Sequence, residues 1–327
     1  MLPPSKPAAS RPWARAVAWA VVLLAGGSLL AQQPRLPKAR DEFTLKVKVD
    51  LVVLHTTVVT KGGQLVTEMR AENFRVLEDG QPQELAVFRN EDVPVTVGLV
   101  LDNSASMREN RSKMMAGSLT FVDASNPLDE TFVVNFNDDY YLDLQGKDFT
   151  NDIDELKEAL ERADTRGGTA FYDAVRASLE HLRRGTRQKH VLLIITDGVD
   201  HVSYSDFETA LHDARQAEAA LYLVSLPCSE ERRDCRRAKR EMRKLAQATG
   251  GMVYFPKSVH QVEEICRKIA RDIRNQYVLG YYPTNEARDG SFRRVQVEVI
   301  PPKGYKNLIA RTRAGYYAPS SQPAGSQ

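Results

Sequence analysis

The segment LVLDNSAS places Asp102, Ser104 and Ser106 directly after an apolar run, with Asn103 and Ala105 between them. In an extended loop alternate side chains point the same way. One carboxylate and two hydroxyls can therefore converge on a point while the intervening residues face elsewhere. A hard divalent cation such as Mg²⁺ takes about six oxygen ligands, more than one loop supplies. Further oxygens stand where other strands should end. RGGTAFYDAV offers Thr169 behind two glycines that let backbone approach closely. VLLIITDGVD offers Asp197 after the most apolar run of the chain. The chemistry expected of such a set is cation binding by oxygen.

Two enzymatic alternatives use the same residues. Ser104 or Ser106 as a nucleophile lacks the GxSxG elbow, and no motif places a histidine beside them. His201, four residues past Asp197, is the histidine nearest the site in sequence. Asp102 as the nucleophile of a Mg²⁺-dependent phosphotransferase or hydrolase calls for a second acid two residues on, where this chain has Ser104.

The elements that must position these residues alternate in type. Strand-like runs are VTVGLVL, TFVVNF, YYLDL, HVLLIIT, ALYLVSL and GMVYF. Between and after them, helical periodicity predicts helices over 111–124, 152–163, 170–184, 205–218, 236–249 and 259–275. Strand and helix in alternation predict an α/β fold with a doubly wound, mostly parallel sheet. Its ligand site belongs at the carboxyl ends of the strands. Residues 42–92 and 276–318 instead show short alternating runs with GG and DG turns, the pattern of antiparallel strands. They form either one smaller β-sandwich-like domain into which the α/β unit of 93–275 is inserted, or two separate flanking pieces.

With these pieces in order, the chain resembles the von Willebrand factor type A (VWA) domain. The metal-ion-dependent adhesion site (MIDAS) of that family is D-x-S-x-S with a threonine in a second loop and an aspartate in a third. Asp102, Ser104, Ser106, Thr169 and Asp197 match all five positions. The resemblance covers residues 93 to about 275. The flanks, with ENFRVLEDGQPQ, YVLGYYP and GYYAP, are similar to the VWFA-related group of secreted bacterial, acidobacterial-type proteins. The resemblance implies a Rossmann-like fold, a bound Mg²⁺ (or Mn²⁺ or Ca²⁺) and an open coordination position filled by an acidic side chain of a protein partner. It implies adhesion or protein binding and no enzyme activity. Some members of the family use the fold only as a scaffold, which is the third reading.

Residues 1–31 carry Lys6, Arg11 and Arg15, no acid, and an apolar stretch from residue 16 to Leu30 interrupted by Gly26 and Gly27. This predicts a secretory signal peptide, hence export to the periplasm or beyond, with an uncleaved N-terminal anchor as the alternative. Both tryptophans, Trp13 and Trp19, lie inside it. Residues 32–41 read as a linker and 319–327 as a disordered tail. The chain has 45 basic and 43 acidic residues. Loss of the three N-terminal cations leaves one more acid than base, so net charge gives no case for nucleic-acid binding, and no membrane span is expected in the mature chain. Of three cysteines, Cys228 and Cys235 can close the short loop CSEERRDC in an exported protein, leaving Cys266 as a buried thiol. The run ERRDCRRAKREMRK reads as an exposed helix face.

Overall fold

The computed structural model describes residues 50–162 and 164–320. The expected signal peptide, the linker and most of the expected tail lie outside these residues.

The chain opens with strands β1 (Val52–Val59), β2 (Phe74–Glu78), β3 (Gln81–Gln83) and β4 (Leu85–Arg89). The α/β unit follows as β5 (Val95–Asp102), α1 (Arg111–Asp123), β6 (Glu130–Phe136), β7 (Tyr140–Leu142), α2 (Ile153–Glu161) and α3 (Phe171–Leu182). It continues through β8 (Lys189–Thr196), α4 (Phe207–Gln216), β9 (Ala219–Ser225), α5 (Arg232–Thr249), β10 (Met252–Tyr254) and α6 (Val262–Arg274). Strands β11 (Tyr277–Tyr281), β12 (Phe292–Val299), β13 (Ile309–Arg311) and β14 (Gly315–Tyr317) end the described chain.

The α/β unit holds a six-stranded sheet in the order β10-β9-β8-β5-β6-β7. All its pairings are parallel except that of β7 with β6. Strand β5 is buried along its whole length, and its largely apolar sequence, broken by Thr96 and ending in Asp102, suits a strand covered on both faces. Alternation then divides the core. Val100, Val134, Ile194 and Leu223 pack with α3, α4 and α5 on one face. Leu99, Leu101, Val133 and Leu193 pack with α1, α2 and α6 on the other. The result is the mixed α/β architecture expected from the alternation of runs.

Helix boundaries follow local chemistry. Asp152 caps α2 by accepting from the backbone of Asp154 and Glu155, and Asp206 caps α4 by accepting from Thr209. Helix α5 ends at Gly250, whose φ of 77° is left-handed. It also begins at Arg232, four residues before the periodic signal, because its first turn is almost wholly polar. That turn is tied back by a disulfide between Cys228 and Cys235, while Cys266 is free and buried in α6.

The flanking strands make two four-stranded sheets, β13-β1-β11-β4 and β14-β12-β2-β3. Each mixes strands from before and after the α/β unit. One core containing Leu54, Phe74, Val76, Tyr277, Leu279 and Val295 lies between them. Inside it Glu78 is buried, ion-paired to Arg293 at 3.3 Å, and accepts from the hydroxyls of Tyr281 at 2.7 Å and Tyr316 at 2.8 Å. One carboxylate near the start of the chain thus collects three partners from its far end.

Candidate metal centre

Strand β5 sits between β8 and β6 in the sheet. The chain leads from β5 to β6 on one side and from β8 to β9 on the other, so the carboxyl ends of β5 and β8 lie at the switch point where open α/β sheets bind ligands. The two strands run in register, with Leu101 beside Ile195. That register brings Asp102 and Asp197 to the same edge of the sheet.

The first loop reaches across to Asp197. Ser106 Oγ donates to Asp197 Oδ2 at 2.8 Å, and the hydroxyls of Ser104 and Ser106 are 3.1 Å apart. Asp102 is fully buried. Its Oδ1 accepts from the Ser104 backbone at 2.8 Å and its Oδ2 from the Thr196 hydroxyl at 2.6 Å. Ser104 and Asp197 are also buried, whereas Ser106 is exposed. The cluster therefore has a dry floor and one wet hydroxyl at its mouth.

Thr169 reaches this region by its loop. It is buried, and its carbonyl accepts from the backbone of His201 at 2.9 Å. Among the described residues no hydrogen bond links its hydroxyl to the other four. The second loop is nevertheless stitched to the first: Ala105 N donates to Gly167 O at 3.1 Å, and Arg166 N to Asn103 O at 2.9 Å. Three loops from the ends of three elements are thus held by backbone bonds, with Ser106 and Asp197 joined directly.

Two glycines make the approach feasible. Gly167 has a φ of 72°, and a Cβ there would stand 1.9 Å from Asp138 Oδ2. Asp138 in turn accepts from Gly168 N at 2.6 Å, so this acidic tip anchors the second loop. Gly198 has a φ of 80° and would collide with Met242 Cε at 2.4 Å. It lets the chain turn away directly after Asp197.

Burial pushes the Asp102 carboxyl up to about 7, and the neighbouring Asp197 charge pushes in the same direction; the hydrogen bonds from Ser104 and Thr196 oppose them. Among the described residues neither Asp102 nor Asp197 is ion-paired; their partners are hydroxyls and backbone amides. Two carboxylates and a set of hydroxyls so arranged are a donor set suited to a hard cation. Among the described residues no cluster of three or more His, Cys, Asp or Glu forms a metal site. This centre differs in kind, because most of its candidate ligands are hydroxyls.

Sequence reasoning missed the supports. Thr196 holds Asp102 and also accepts from Gly198 N at 2.8 Å. Asn103 is buried, and its Nδ2 donates to Asn135 Oδ1 at 2.8 Å, tying the first loop to β6. The polar residue immediately before Asp197 in IITDG was the one available signal. His201 lies exposed at the rim, 3.8 Å from Glu230.

The model of the von Willebrand factor type A domain matches residues 97–199, a stretch that contains all three loops. This region is a VWA domain. The structure of a von Willebrand factor type A protein from Catenulispora acidiphila superposes with a TM-score of 0.50 at 13% identity, covering 83% of this chain and 74% of that one. That likeness establishes the VWA fold. Proximal thread matrix protein 1 of the mussel byssus matches with a TM-score of 0.45 at 15% identity, over 56% of this chain and 49% of that one. The chain thus spans about half the length of the byssus protein. The von Willebrand factor domain of a type V pili tip protein from Porphyromonas gingivalis matches with a TM-score of 0.45 at 12% identity, over 56% of this chain and 97% of that one. No curated protein matches the chain. Among the described residues no helix is long and apolar enough to cross a membrane.

Proposed function

We propose that the protein is an exported, divalent-metal-dependent binding module whose VWA domain captures an acidic side chain of a protein partner. The observation that carries this reading is the convergence of Asp102, Ser104, Ser106 and Asp197 at adjacent strand ends, bonded to hydroxyls and backbone amides. Asp102, Ser104, Ser106, Thr169 and Asp197 would hold Mg²⁺, or Mn²⁺ or Ca²⁺ in its place.

The bound ion would supply an electrophilic centre for a negative oxygen from outside. The chain's own residues do the rest. Buried Asp102, fixed by Thr196 and the Ser104 backbone, sets the floor. Ser106 presents the exposed hydroxyl that a partner meets first. Three of the five donors are neutral hydroxyls, which cancel none of an ion's charge, and five donors fall short of the about six a hard cation takes, so a further oxygen from outside can join. Ser106 donates to Asp197, and the rim histidine, His201, faces Glu230; neither arrangement assembles a serine, base and orienting acid. A binding role therefore fits the geometry better than a hydrolase or phosphotransferase.

The test is capture of partners from an extracellular fraction by the immobilised full chain, with Mg²⁺ and with chelator. The reading expects a set of proteins held only with Mg²⁺ and lost with Asp197→Ala. Identical captures under all conditions overturn it.

A further inference from the structure

The metal centre leaves unexplained the most basic element of the chain. Helix α5 carries eight Arg and Lys against two acids, Asp234 and Glu241. Asp234 is engaged by Arg237 at 3.4 Å, and Glu241 accepts from the Tyr172 hydroxyl at 2.8 Å. Towards the flanking β sheets, Arg243 lies 4.5 Å from the Phe255 ring centre and Lys244 lies 5.4 Å from that of Phe207. Arg215 of α4 lies 5.6 Å from Phe292. Among the described residues none of these three cations, nor exposed Arg294 on β12, is ion-paired. Arg215, Arg243 and Lys244 are held over aromatic faces instead.

These cations border two cavities of about 900 and 630 Å³ that share Gln247, Val295 and Gln296. The cavities therefore form one groove between α5 and β12. Arg215, Lys244 and Arg294 outnumber Asp79 and Glu208 in the first, and no acid lines the second. The second is walled by residues 295–297 of β12, 310–312 after and within β13, and 250–253 leading into β10. Consecutive strand residues point to opposite faces, so a cavity touching several in a row meets the strands' edges. β10 and β13 are terminal strands of their sheets, each with one edge unpaired. β14 pairs with β12 over residues 292–294 and Val295 N donates to Ala314 O, so that edge of β12 is free of strand pairing beyond Val295. Thr312 Oγ1 and Arg311 Nε are buried there without a hydrogen-bond partner.

We infer that this groove takes an extended acidic segment of a partner protein, added along the open strand edges with its carboxylates on Arg243, Lys244, Arg215 and Arg294. Unpaired strand edges supply rows of backbone donors and acceptors that an extended peptide completes. The cationic border selects acidic side chains. A lipid surface or a nucleic-acid backbone would meet the outer face of α5 but has no amide row to pair with edges inside the groove. The groove borders β10 from Gly250 before it to Phe255 after it, and none of Asp102, Ser104, Ser106, Thr169 and Asp197 lines it. Binding here needs no metal.

The experiment is fluorescence anisotropy of the full-chain protein in chelator with a labelled peptide alternating Glu and Val, about eight residues long, within ordinary strand length. The inference expects saturable binding, weakened about tenfold or more by Arg243→Glu with Lys244→Glu. It also expects the same loss when alternate peptide nitrogens are methylated, an arm that leaves the protein untouched. Absence of binding overturns it. So does equal binding of the methylated peptide, or equal competition by phosphatidylglycerol vesicles or single-stranded DNA, which would mark a general anion surface.

Discussion

Ser106, exposed on the first loop, donates a 2.8 Å hydrogen bond to Asp197, 91 residues further along the chain. The contact joins the loop after β5 to that after β8 and brings the exposed ligand candidate against a buried one. The cluster is held together by the protein's own side chains and backbone, so each of its supports is separately testable.

Thr196 fixes one oxygen of Asp102 without being a candidate ligand. Thr196→Val should lower Mg²⁺ affinity about 10–100-fold, the usual cost of losing an outer support. It should cost about 1–3 kcal/mol of stability, because a buried carboxylate oxygen loses its donor. Titration calorimetry and urea unfolding of the same variant check both.

Lys189 is buried at the start of β8, and its Nζ donates to the carbonyl of Ile273. Burial pulls its ammonium down from 10.5 to about 7, with Asp92 and Asp129 acting in the opposite direction. The unfolded chain therefore binds more protons than the native one between about 7 and 10.5, so this residue makes stability rise with pH across that window and fall as pH drops through 7. Melting temperatures at pH 7 to 9.5 should climb in the wild type, and the climb should flatten in Lys189→Met.

The disulfide between Cys228 and Cys235 closes a short loop ahead of α5. Cys228→Ser with Cys235→Ser should cost about 2–3 kcal/mol on the chain-entropy estimate. Hydrogen exchange should rise in the first turn of α5 while Mg²⁺ affinity stays unchanged.

Glu78 should behave as a clasp between the two ends of the described chain. Glu78→Ala leaves Arg293 charged and buried without its partner and should cost about 3–5 kcal/mol. Chemical denaturation measures it.

The fold was legible because β5, β8 and β9 are largely apolar runs that can only be central strands, and because helical periodicity resumes after most of them. Asp102 and Asp197 were legible for the same reason: a carboxylate at or directly after such a run falls at a carboxyl strand end. Thr169, expected at another strand end, instead stands between α2 and α3, just ahead of the cap of α3. What could not be read depends on pairing across long separations. Nothing local in Thr196 or Asp138 marks it as a support, and the Glu78 cluster draws partners more than 200 positions away. The start of α5 escaped because Arg232 to Asp234 carry no apolar period. The groove escaped because strand edges exist only once the sheets are arranged.

Calorimetric titration of Mg²⁺ and Mn²⁺ into wild type, Asp102→Ala and Asp197→Ala tests most directly whether these loops hold a divalent cation. Saturable binding at one site in wild type, lost in both variants while their circular dichroism stays native, is the predicted result. Indistinguishable titrations of all three proteins would contradict it.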